Sequence, residues 1–82
     1  MQAESKKYLW DALTAADRIL DFVTGEDFDS YCQNPFLRSA IERQMEIIGE
    51  AMAQMARRDA DTAGAIPDVG RIIAFRKMLI HG

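Results

Sequence analysis

AIERQMEIIGEAMAQM, Ala40 to Met55, decides the fold. Ile41, Met45, Ile48, Met52 and Met55 recur at steps of three and four residues. Leu37 extends the stripe backwards, and Ala40, Ile47 and Ala51 widen it. That period belongs to an amphipathic α-helix. Just upstream, Asn34-Pro35 reads as an N-cap followed by the first helical residue. The helix is expected to run from there to about Arg58.

Working outward, GEDFDSYCQNP (25–35) is a connector in which Phe28 and Tyr31 form one turn resting on the core. Before it, a helix is expected from Glu4 to Thr24. Leu9, Leu13, Ala16, Leu20 and Val23 make its apolar stripe, with Ala12 and Ile19 alongside, and Gly25 stops it. After Arg58, RDADTAGAIP reads as a loop punctuated by Gly64 and Pro67. Asp68 caps a last helix from Val69 to about His81, with Val69, Ile72, Ile73, Leu79 and Ile80 on its apolar face. The chain is therefore all-α and forms one domain over residues 1–82. Helices of about 21 and 24 residues span roughly 30–36 Å, and the last, of about 13, covers only part of that length. A further long helix, a partner chain, or both must cover the rest.

The totals narrow the class. Of 82 residues, 49% are hydrophobic, enough for a globular core. A domain this small buries a poor share of its surface and tends to lean on a partner. A single cysteine, Cys32, precludes an internal disulfide. Neither a bilayer-spanning run nor a signal peptide is legible, so the protein is expected to be soluble and cytoplasmic. The net charge of −3 argues against broad nucleic-acid binding. Residues 1–68 carry seven basic and thirteen acidic side chains, whereas residues 69–82 carry Arg71, Arg76 and Lys77 and no acid. Basic residues near a helix C-terminus also suit its dipole.

RKMLIHG, Arg76 to Gly82, holds the candidate chemistry. Arg76 falls within an apolar stripe, where an unpaired charge is costly. It either snorkels to the edge or meets an acid, a chain boundary or an anion. His81 is the only histidine. Five residues apart on a straight helix, the two side chains diverge by about 140°. A site using both needs a distorted helix end or a second chain with its own copies. Two-fold pairing would gather two arginines and two histidines in one cleft. Imidazole moves protons near neutral pH, and guanidinium holds a phosphate through paired hydrogen bonds. RNA brings its own nucleophile in the 2′-hydroxyl. By spacing alone the signal is weak, since a terminal histidine is more often simply solvated.

Three blocks together resemble the HepT-like group of HEPN-domain proteins, toxins of bacterial type VII toxin–antitoxin pairs. They are YLWDALTAADRILDFVTGEDFDSY (8–31), AIERQMEIIGEAMAQM (40–55) and IPDVGRIIAFRKMLIHG (66–82), in the family's order and spacing. The resemblance implies an antiparallel HEPN-type helical bundle completed by dimerisation. It also implies a metal-independent endoribonuclease site at the dimer cleft, with Arg76 and His81 as catalytic residues. Lys77 and Arg71 are expected on the RNA phosphates. A nucleotidyltransferase-type antitoxin is the implied partner. In the family, that antitoxin attaches AMP to a tyrosine just after the histidine. Lys77 departs from the family's polar amide. The family pattern also continues past HG into that tyrosine and a long helix. The chain thus reads as a piece of a longer protein or as a decayed copy.

Other residues have plainer readings. Glu50 either holds the Arg76 guanidinium or is an exposed helix acid. Arg43 is expected to pair with Glu46 or Glu50 along its own helix. Met45, Met52, Met55 and Met78 are packing residues, and Cys32 is inert. Neither a metal-ligand cluster nor a glycine-rich phosphate loop is legible, so no cofactor is expected. The competing function is a non-catalytic helical module that pairs with itself or with a nucleotidyltransferase partner. A DNA reader is disfavoured by the acidic bulk.

Overall fold

Two residues act as joints between helices. Asn34 closes one helix and opens the next: its N–H donates to the Ser30 carbonyl, and its Oδ1 accepts from the N–H groups of Phe36 and Leu37, both at 3.1 Å. Asp59 does the same further on. Its N–H donates to the Met55 carbonyl, and its side chain accepts from the Thr62 N–H and hydroxyl. Such caps satisfy backbone groups that a helix end leaves open.

The protein's structure, a computed structural model, describes residues 3–67 and 69–74. Four helices follow in order: α1 Ala3–Val23, α2 Phe28–Gln33, α3 Pro35–Arg58 and α4 Ala60–Gly64. Residues 69–74 are helical as well. Among the described residues there is no strand, as an all-α reading requires. Gly25 ends α1 at a φ of 78°, a left-handed conformation that costs glycine little. Asp27 caps α2 by accepting from the Ser30 N–H at 2.8 Å.

The segment 58–67, expected as a loop, instead contains the short helix α4. The Asp59 cap and the burial of Ala63, 2% exposed, account for it. Asp68 as a cap, and the last helix beyond residue 74, lie outside the described residues.

α1 and α3 make the principal interface and run antiparallel. At one end Ser5 Oγ donates to Asp59 Oδ2 at 2.7 Å. At the other, Ile19 and Val23 share a groove with Leu37 and Ile41. The core gathers Ala12, Ala51, Met52, Met55 and Ala63, with Ile66, Val69, Ile72 and Ile73 packed against it. The helical stretch 69–74 thus lies on the hairpin near the Ser5–Asp59 end.

The face of α1 differs from the expected stripe. Ser5, Ala12 and Ala15 are its buried residues, whereas Leu13 and Leu20 are 63% and 64% exposed. On a 100° wheel the alanine row sits roughly 80–100° from the leucine row. Ala12 packs in the core with Ala51 and Met52 of α3. The leucine row is left on the flank. Trp10 at 71%, Phe28 at 75% and Phe36 at 85% are exposed too. The described helices therefore leave much apolar surface uncovered, as their lengths led one to expect.

Candidate functional site

α3 divides the candidate residues between two grooves. On one flank Tyr8 and Asp11 of α1 face Arg43, Glu46, Ile47 and Glu50 of α3 across a groove of about 320 Å³. On the other, Met45 and Ile48 meet Arg71 and Ile72 around a more open, apolar trough of about 410 Å³. Glu50 lines the first and Arg71 the second.

Arg71 is exposed at the trough's edge. The apolar floor beneath it suits the snorkelling geometry of a long basic side chain, stem on hydrocarbon and head in water. Glu50 accepts from Gln54 Nε2 at 2.8 Å, and Arg57 stands 3.8 Å from its Oε1. Both of these partners belong to its own helix. Arg43 pairs with Glu46 at 3.4 Å, the expected intrahelical contact. Met52 and Met55 are buried in the core. Cys32 is exposed and free.

Arg76, Lys77 and His81 lie outside the described residues, as does any contact between Glu50 and Arg76. The described helical stretch 69–74, which precedes them in sequence, packs Ile72 and Ile73 on the core. Among the described residues no three metal-ligating side chains gather. No described helix is long and apolar enough to cross a membrane.

The Ser5–Asp59 hydrogen bond escaped sequence reasoning. Ser5 is 1% exposed and 54 positions from its partner. A polar residue in the first turn of a helix carries no signal of burial. Asp59 was legible only as a turn residue, although Asp-x-x-Thr is itself a capping pattern.

A family model described as Ribonuclease HepT-like matches residues 12–82. The chain is also similar to a Methanocaldococcus jannaschii protein provisionally named an RNase. The identity is 31% over 78 residues, 93% of this chain and 69% of that one. A second M. jannaschii protein with such a name is 29% identical over 76 residues and is covered over 65% of its length. A third, from Caldanaerobacter subterraneus, is 29% identical and covered over 67%. The chain thus spans about two thirds of the length of these relatives. No solved structure matches it significantly.

Proposed function

The chain belongs to the HepT-like ribonuclease family, and from that membership we propose that it is the RNA-cleaving toxin subunit of a toxin–antitoxin pair. The observation that carries the reading is the extent of the family match, which runs through residue 82 and so includes both Arg76 and His81. Their chemistry suffices for phosphodiester cleavage. The Arg76 guanidinium holds the scissile phosphate through paired N–H donors and offsets the charge that builds on its oxygens. His81 takes the 2′-hydroxyl proton, and the oxygen attacks the adjacent phosphorus. A 2′,3′-cyclic phosphate forms as the bond to the 5′-oxygen breaks, and that oxygen takes up a proton. No metal is needed in this sequence. Because the two side chains diverge on a regular helix, two copies of the chain meet to build the cleft. Arg71 and Lys77 extend the cationic track along the RNA backbone. A nucleotidyltransferase-type antitoxin silences the pair.

The test is cleavage of an end-labelled RNA in EDTA by the parent and by His81→Ala. Cutting by the parent, with loss by about 10²–10⁴-fold in the variant, supports the assignment. Equal cutting by both removes it. If neither cuts, a chain continued as far as the relatives extend is tried. Its failure favours the second reading, a non-catalytic pairing module, to which the exposed Leu13 and Leu20 lend their weight.

A further inference from the structure

At the end of the hairpin remote from Ser5–Asp59, the corner between α1, α2 and α3 encloses a groove of about 350 Å³. Leu37, Ile41 and Met45 form its floor. Phe28 and Tyr31, from α2, form a wall, with ring centroids 6.3 Å apart and planes 25° from parallel. Phe28 is nonetheless 75% exposed. That packing holds an aromatic face in the open, where an apolar side chain gains from covering it.

The rim has the opposite character. Glu26 and Asp27 line the groove. The segment 26–29 carries three carboxylates, Glu26, Asp27 and Asp29, and no base. Arg18 Nη1 lies 3.5 Å from Gln44 Oε1. The nearest base on α3, Arg38, donates to the Cys32 carbonyl. Asp27 is held ionised by the Ser30 N–H it accepts, so its charge persists well into acid.

These features select an occupant by chemistry. RNA and anionic lipid are repelled by the rim. A plain polycation satisfies the rim and leaves the floor wet. A segment with apolar anchors one turn apart and lysine or arginine beside them satisfies both. Met45 also lines the trough beside Arg71, so the two grooves meet at that residue.

We propose that this acidic, aromatic-walled groove is a docking surface for a basic amphipathic helix of a second protein. The residues that line this groove are none of those assigned to RNA cleavage, and the proposal stands whether or not the chain cuts RNA.

The test uses the whole chain and a fluorescein-labelled peptide of about five helical turns, with leucine at i, i+3 and i+4 and lysine elsewhere. Fluorescence anisotropy is expected to show binding that weakens by roughly tenfold or more in Phe28→Ser. Phe28 is exposed, so the variant keeps the fold. The double change Glu26→Gln with Asp27→Asn, which preserves the α2 cap acceptor, is expected to weaken binding and flatten its salt dependence. A leucine/glutamate peptide of the same length is expected not to bind. Equal binding by the parent and both variants, or by both peptides, overturns the proposal. So does sedimentation showing that the parent self-associates and Phe28→Ser does not, since a second copy then fills the groove.

Discussion

At the scale of single residues, stability is concentrated in a few side chains. Met55 is fully buried in the core. Truncation to alanine leaves a cavity and is expected to lower the unfolding free energy by about 2–5 kcal/mol in a urea titration. Ser5, in α1, donates a long-range hydrogen bond to Asp59. Ser5→Ala leaves the carboxylate short of a donor and is expected to cost about 1–3 kcal/mol by the same measurement. Ser5→Thr keeps the donor and loses less. Asp27 behaves differently because it lies at the surface. Its carboxyl titrates below the usual value, chiefly because the Ser30 backbone N–H donates to the ionised form. A lowered folded value means that the cap contributes above the unfolded value and is lost as pH falls through the folded one. Helicity near α2 should therefore hold at neutral pH and fade only in strong acid. In Asp27→Asn that acid step disappears from the amide chemical shifts of residues 28–33.

Elements were more legible than their contacts. The bounds of α1, α2 and α3 follow from Gly25, Asp27 and Asn34, whose cap chemistry is local and therefore visible in a sequence. Asn34 serves two helices at once. Asn34→Ala is expected to lose about 0.5–2 kcal/mol, a loss that urea unfolding resolves. α4 was missed because five residues leave no room for a period, and its cap doubles as the end of α3. The buried face of α1 was misread for another reason. Two apolar rows run side by side on that helix, and hydrophobicity favours the leucines. The row that is buried is the small one, Ala12 and Ala15, and Ala12 shares the core with Ala51 and Met52 of α3. The candidate site divides in the same way. Arg76 and His81 were legible as a motif, and Arg43–Glu46 as a helical spacing. That Glu50 and Arg71 line different grooves was not legible, because it depends on where residues 69–74 rest on α3.

For the whole molecule, shape governs what can be covered. The chain measures 40 × 25 × 17 Å, and its least dimension is under two helix diameters of about 10–12 Å each. So thin a body cannot bury both apolar rows of α1. If a second copy covers the outer row, Leu20→Glu should abolish self-association in sedimentation. The monomer's own stability should move by no more than about 0.5 kcal/mol, since the site is exposed. The buried seam of Ala12, Ala15 and Ala51 carries a consequence for inheritance. Substitution there is limited to side chains as small as those present, whatever the protein does. Leu13 and Leu20 are free to drift to polar residues in any lineage where nothing rests on them. Across descendants of this chain, the seam records the hairpin alone, and the leucine row keeps a history of the company the molecule has kept.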